Sequence, residues 1–316
     1  MNKLQRMLLL LIINCLFVFG SMAQGSKNDS LLAFSYFINN GKDGLHMAYS
    51  ADGYSWLALK NGRSYLTPIL SKDSLMRDPC IIRGSDGIFH MVWTVSWKER
   101  GIGYANSKDL VNWSKQQYLP VMEHEPLATN AWAPEITFIP EQNEYMIYWA
   151  TTIPGKFRVS ENSGDHNHRI YYVTTKNFVD YGETKLLYDQ DFNVIDATIQ
   201  KVNGRYVMIL KDETLKPSPQ KNLRIAFTDH ATGGYSKPSL PITGNYWAEG
   251  PTAIKLKDEW VVYFDKYRDG KYGAVSTKDF VKWTDISAKI NMPEGIRHGT
   301  VFKISAAELA VLKAVQ

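Results

Sequence analysis

The chain has 316 residues, a formal net charge of +4, two cysteines, 9 Trp and 18 Tyr. A charge so near balance, with no run of Lys or Arg, gives no electrostatic footprint for nucleic acid or an anionic membrane surface. The length is ample for a hydrophobic core, and the aromatic richness suits sugar stacking and ordinary strand packing equally.

At the N-terminus Lys3 and Arg6 precede an apolar run from Met7 to Gly20 and the small-residue triplet Ser21-Met22-Ala23. That is the pattern of a signal peptide over residues 1–23, cleaved after Ala23. The run falls short of the roughly 20 apolar residues a membrane span needs. Asn14 before Cys15, and apolar residues after it, make a lipid anchor there the weaker alternative. Cleavage removes Lys3, Arg6 and Cys15, which lowers the formal charge from +4 to +2 and leaves Cys80 without a disulfide partner. The expectation is an exported protein, periplasmic or extracellular and free of the membrane, with residues 24–316 forming one domain.

Along that domain a unit recurs. Its copies are Ser50-Ala-Asp-Gly-Tyr-Ser-Trp56, Ser107-Lys-Asp-Leu-Val-Asn-Trp113, Thr175-Lys-Asn-Phe-Val-Asp-Tyr181 and Thr277-Lys-Asp-Phe-Val-Lys-Trp283, with a degenerate copy at Thr228-Asp229. Each follows a short alternating strand, and upstream lies a stronger one rich in aromatic and β-branched residues: 32–38, 89–97, 145–153, 206–210 and 260–267. Before four of these comes a further apolar strand, at 80–82, 136–139, 197–199 and 252–254. The first unit lacks it, and the missing copy stands at 300–304. The pattern predicts an all-β, five-bladed β-propeller of four-stranded blades whose C-terminal strand completes the first blade, followed by a short helix after Ala306. A β-sandwich is the alternative, but its strands do not repeat a sequence unit of this length.

Each inner strand begins with polar or charged residues where a buried strand should have none. These are Arg77-Asp78-Pro79, Ala133-Pro134-Glu135, Ile195-Asp196-Ala197, Ala248-Glu249-Gly250-Pro251 and Arg297-His298-Gly299. Inner strands line a propeller's axis, so these side chains converge on one mouth of the channel. Facing carboxylates are costly to bury, which favours a functional ring over a structural one. Glycoside hydrolysis with inversion uses such a set: an acid for the leaving oxygen and a base for water, about 6.5 to 9.5 Å apart. Mutual repulsion then raises the least solvated carboxyl and keeps it protonated as the acid. Glu135 either contacts substrate or pairs with Arg77 or Arg297. Trp93, Trp132 and Trp247 adjoin the mouth as sugar platforms or as packing. The His166-Asn167-His168 cluster reads as a polar loop rather than a metal site, since its spacing is not diagnostic.

Taken together, Arg77-Asp78-Pro79, Trp132-Ala133-Pro134-Glu135, Ile195-Asp196-Ala197, Glu249-Gly250-Pro251 and Arg297-His298-Gly299 resemble glycoside hydrolase family 43 over essentially the whole mature chain. The resemblance implies an inverting hydrolase needing no cofactor, with Asp78 as general base, Glu249 as general acid and Asp196 orienting that acid and tuning its pKa. It implies substrate contacts from Arg77, Arg297 and His298, and His298 could also help hold a structural calcium ion through water. The stretches Trp149–Gly155, Lys211-Asp-Glu-Thr214 and Pro241-Ile-Thr-Gly244 resemble the branch acting on galactofuranosides and arabinofuranosides. The expected partner is a furanose-containing glycan, cut from its end because the 154–168 loop could wall the pocket. The alternatives are a non-catalytic carbohydrate-binding propeller and a β-xylosidase or endo-acting hydrolase on the same fold. A retaining fructan-type enzyme is disfavoured, since no Asn-Asp-Pro-Asn element occurs.

Overall fold

A computed structural model describes residues 31–315, so the leader expected over residues 1–23 lies outside the described residues. Leu31–Tyr36, His46–Ser50 and Leu57–Ala58 form β1 to β3, the first two buried along most of their length and the short third exposed at the blade's edge. The second blade holds β4 (Arg77–Arg83), β5 (Phe89–Thr94), β6 (Ile102–Ser107) and β7 (Gln117–Leu119). The third holds β8 (Trp132–Ile139), β9 (Glu144–Thr152), β10 (His168–Thr175) and β11 (Lys185–Tyr188). In the fourth are β12 (Val194–Val202), β13 (Arg205–Asp212) and β14 (Asn222–Thr228). The fifth has β15 (Glu249–Leu256), β16 (Glu259–Lys266), β17 (Lys271–Thr277) and β18 (Thr284–Asp285), after which β19 (Thr300–Ile304) pairs antiparallel with β1. Helix α1 (Ala306–Ala314) follows, started by a capping box of Ser305 and Glu308.

These five sheets stand in a ring, each inner strand lying beside the next: β4 by β8, β8 by β12, β12 by β15, β15 by β19 and β19 by β4. The propeller expected from the repeat is therefore present, closed by the C-terminal strand in the first blade. One blade departs from expectation, because the fourth has three strands. Its outer position is taken by an irregular segment in which Ser236, Ser239 and Ile242 donate to Phe227, Ile225 and Leu223. Pro238 and Pro241 in that segment have no N–H to give, so no regular strand forms.

Apolar residues pack in slabs between neighbouring blades rather than in one central core. Between the first and fifth blades Trp56 meets Phe34 and Tyr263 edge-on at 5.4 and 5.7 Å. The recurring turn explains why Trp56 is available there: Ser50 Oγ accepts from Gly53 N–H at 2.8 Å, and Asp52 accepts from Tyr54 and Ser55. Ser107 with Asp109 and Thr277 with Asp279 repeat that turn.

One backbone feature positions the site. Inner strands β4, β8, β12 and β15 each break register with the neighbouring strand at their first residues. One residue near the start of each is left-handed: Asp78 (φ 52), Ala133 (φ 47), Asp196 (φ 53) and Gly250 (φ 58). A bulge of this kind re-aims side chains and ends the pairing, and here it does so four times around one mouth.

Candidate active site

The bulges in β4 and β12 turn Asp78 and Asp196 toward His298. Asp78 Oδ1 lies 3.3 Å from His298 Nδ1, and Asp196 Oδ1 lies 4.0 Å from the same nitrogen. Asp78 Oδ2 accepts from Thr94 Oγ1 at 2.8 Å, while Asp196 Oδ2 accepts from the Gly250 N–H at 3.0 Å. Gly250 cannot carry a side chain here, because a Cβ would sit 2.3 Å from the His298 ring in an already left-handed backbone. Asp196 is thereby tied to the backbone beside Glu249.

Burial and charge divide these groups. Burial pushes Asp78 up, but His298, Arg77 and the Thr94 hydrogen bond outweigh it and hold the carboxyl at about 2. Asp196 goes the other way, raised to about 6 by burial, with His298 and Lys211 opposing and Glu249 and Asp78 adding to the rise. Despite burial, the two aspartates raise His298 to about 9, so it is an imidazolium at neutral pH.

Glu249 is held by two cations. Its Oε2 lies 3.0 Å from Lys211 Nζ and its Oε1 lies 3.1 Å from an Arg297 guanidinium nitrogen. Burial alone would raise it, yet Lys211 first and Arg297 next bring it below the ordinary glutamate value. This corrects the expectation that mutual repulsion keeps Glu249 protonated: in the unliganded pocket the raised carboxyls are Asp196 and, at about 6, Asp265.

Of the other expected residues, Arg77 is sandwiched between Phe37 and Trp97, 4.5 and 4.3 Å from their ring centres, and donates to Asn40. Arg297 links Glu249 to the buried Asp265. Trp132 is half-buried at the mouth, edge-on to Trp97 and His166 at 5.4 and 5.0 Å. Trp247 is also half-buried, with the Arg268 guanidinium 3.9 Å over its ring.

Two expectations fail. Trp93 is 0% exposed in the slab between the first and second blades and offers no face to a sugar. Strand alternation turns it away from the mouth and onto Gly103, where an added Cβ would lie 2.0 Å from its ring. Glu135 neither pairs with an arginine nor reaches the aspartates' level. It accepts from Thr198 and Thr300 at 3.1 Å each, inside the channel, and burial raises it to about 7. The β8 bulge places Ala133 at the position Asp78 holds in β4 and leaves Glu135 beyond it.

Thr94, Lys211, Asp265 and the 41% exposed Trp97 complete the site and were not anticipated as site residues. A signal existed for three of them. Thr94, Lys211 and Asp265 stand opposite Arg77, Ile195 and Glu249 across each blade's first two strands. A polar residue late in an otherwise apolar second strand would have marked them.

Of the His166-Asn167-His168 cluster, expected as a polar loop, His166 and Asn167 lie in the loop before β10 and His168 is the buried first residue of that strand. His168 lies between Asn130 and Asn193, and burial, with His166 adding, lowers it to about 3. Among the described residues no group of three or more His, Cys, Asp or Glu is placed to hold a metal ion.

Comparison with known proteins agrees with this architecture. The family profile described as "Probable glycosyl hydrolase domain", related to glycoside hydrolase family 43, matches residues 30–310. Among curated proteins, an α-L-arabinofuranosidase of Bifidobacterium longum subsp. longum is 22% identical over 187 residues, 51% of this chain and 17% of that protein. A 1,2-β-oligomannan phosphorylase of Thermoanaerobacter sp. is 27% identical over 211 residues, 60% of this chain and 65% of that protein. The matches thus span less than two thirds of either relative. Two solved structures share the fold: an α-L-arabinofuranosidase from Lactobacillus brevis (TM-score 0.52, 20% identity, 67% of this chain and 72% of that one) and a thermostable family-43 glycoside hydrolase (TM-score 0.52, 17% identity, 66% and 71%). With its profile matched from residue 30 to residue 310, this chain belongs to the glycosyl hydrolase domain family related to glycoside hydrolase family 43.

Proposed function

We propose that the chain is an exported, inverting glycosidase that removes a terminal furanose, arabinofuranose or galactofuranose, from a glycan. The observation that carries this reading is the convergence of Asp78 and Asp196 on His298, with Asp196 bound to the backbone next to Glu249. Asp78, held at about 2, stays ionised and can take a proton from water as the water oxygen attacks the anomeric carbon. Once substrate displaces Arg297 from Oε1, Glu249 loses one of the two cations that hold it ionised and takes up a proton from solvent. The glycosidic C–O bond then breaks with its electron pair going to the leaving oxygen, which takes that proton from Glu249. One displacement without a glycosyl-enzyme inverts the anomeric centre.

The arabinofuranosidase relative supports the furanose preference, and the wall made by residues 154–168 supports attack at chain ends. His166 of that segment meets Trp132 edge-on, and the Ser163 carbonyl accepts from Leu215 and Lys216. The phosphorylase relative raises a second acceptor, inorganic phosphate. An Asp78 carboxylate that remains ionised repels a phosphate dianion, which favours water.

Asp78→Asn and Glu249→Gln should each lower turnover by about 100- to 10,000-fold, and Glu249→Gln should recover on dinitrophenyl glycosides, whose leaving group needs no proton. Proton NMR of the first product should show the inverted sugar. Retained activity in both variants on natural glycosides, or the retained anomer appearing first, would overturn the mechanism. A sugar 1-phosphate formed only when phosphate is added would replace hydrolysis by phosphorolysis. Mass spectrometry of the exported chain should show a start at Gln24.

A further inference from the structure

Glu249 stands inside a row of six side chains of alternating charge. Lys221 pairs with Glu213 Oε1, Glu213 Oε2 lies 2.6 Å from Lys211 Nζ, and Lys211 Nζ lies 3.0 Å from Glu249 Oε2. On the other side Glu249 Oε1 lies 3.1 Å from Arg297, whose Nε reaches Asp265 Oδ2 at 2.5 Å. Both oxygens of Glu249 are therefore occupied by cations, and a leaving oxygen can approach it only if one cation gives way.

The two cations are not equivalent. The Lys211 side chain is 4% exposed, its ammonium lies 4.7 Å from the Tyr267 ring centre, and moving it would strand a desolvated charge between two glutamates. Arg297 is 31% exposed and keeps Asp265 as a partner when it releases Glu249. We infer that Lys211 is a positioning residue that grips Glu249 by Oε2 throughout the reaction, while Arg297 yields Oε1 to the substrate's leaving oxygen. Lys211 thereby fixes which oxygen carries the proton. This inference rests on Glu249 being the general acid.

The groups that bear on Glu249 set the sign of the effect. Lys211, Arg297 and His298 lower it, whereas Asp196, Asp265 and Glu213 are negative and the hydroxyls of Tyr267 and Tyr272 lie within the same buried cluster. Removing Lys211 takes away the nearer and more buried cation and leaves the three acids in place, so Glu249 must bind its proton more tightly.

The test is a titration of the whole protein labelled with [δ-13C]glutamate, the Glu249 signal being the one lost in Glu249→Gln. In the native protein its midpoint should lie below the ordinary glutamate value of about 4.3. Lys211→Met should raise it by about 1 pH unit or more, Lys211→Arg should leave it low, and Lys211→Gln serves if Lys211→Met does not fold. On aryl arabinofuranosides the alkaline limb of the pH–rate profile should move up in Lys211→Met when the leaving group is phenol, and stay put when it is dinitrophenol. A midpoint unmoved in both neutral variants overturns the inference. Should Glu249→Gln keep full turnover on the phenyl glycoside, the acid assignment itself falls. Loss there with recovery on the dinitrophenyl glycoside, beside an unmoved Lys211→Met midpoint, sinks the positioning role alone.

Discussion

His298 binds a proton that the unfolded chain releases, because its folded value of about 9 lies above the ordinary histidine value of 6.5. The stabilisation from that proton is complete below pH 6.5 and is lost as pH rises through 9. Without it, Asp78 and Asp196 would face each other across a neutral ring at 3.3 and 4.0 Å. Thermal melts of the native protein should show stability falling between pH 6.5 and 9 by something on the order of 1 to 3 kcal/mol. His298→Asn should lack this fall and start from a lower stability at pH 6.5. Equal slopes for the two proteins over that range would remove the imidazolium from the centre of the site. The same residue explains two features of its surroundings: the absence of a side chain at Gly250 and the depressed value of Asp78. Left-handed backbone at Asp78 and Asp196 costs roughly 1 to 3 kcal/mol each, strain that the hydrogen bonds from Thr94 and Gly250 help to hold.

At the scale of elements, the loop between β9 and β10 depends on Arg169, which is 0% exposed. Its guanidinium pairs with Asp189, donates to Asn167, Ser160 and the His168 carbonyl, and lies 4.3 Å over Phe157. Because both ends of the loop hang on this one side chain, Arg169→Met should cost roughly 1 to 3 kcal/mol in urea denaturation. Beyond that cost, it should open 154–168 to proteolysis and raise KM several-fold with a smaller change in kcat. A kcat loss with KM unchanged would place the loop outside substrate binding. Much of the arrangement of the site was legible in the sequence. Strand alternation and the repeated Ser/Thr-x-Asp/Asn turn marked five blades, and the polar start of each inner strand pointed to Asp78, Asp196, Glu249 and His298. What stayed hidden depended on register. A two-for-one bulge shifts which residue faces the mouth, and neither the displacement of Glu135 into the channel nor the pairing of Glu249 with Asp265 can be counted from spacing. Trp93 was misplaced for a related reason: adjacency in sequence to the mouth says nothing of which face of β5 a side chain takes.

For the whole molecule, the consequence of a ring is that closure is a single contact set shared by the chain's two ends. Strand β19 lies between β15 and β4, and its partner β1 comes from the other end of the chain. Ser35 Oγ donates to the Pro79 carbonyl at 2.6 Å, Val301 N–H to Thr252 at 3.1 Å, and Thr300 to Glu135 at 3.1 Å, so the closing blade is tied to three others. Closure also sets the site, since His298 and Arg297 enter the mouth just before β19 begins. Gly299 packs directly on β1, for a Cβ there would lie 1.8 Å from the Ser35 carbonyl oxygen. That oxygen belongs to backbone and cannot swing aside, so Gly299→Ala must push β19 off β1 and carry His298 with it. The expected result is a loss of about 1 to 3 kcal/mol in denaturant unfolding, together with a drop in kcat out of proportion to the small chemical change. Gly182→Ala is the control, since its Cβ would come no nearer than 3.4 Å to Thr174, an ordinary contact. If Gly299→Ala unfolds at the same denaturant concentration as Gly182→Ala and turns over as fast, then the seam between β1 and β19 does not hold the catalytic mouth in register.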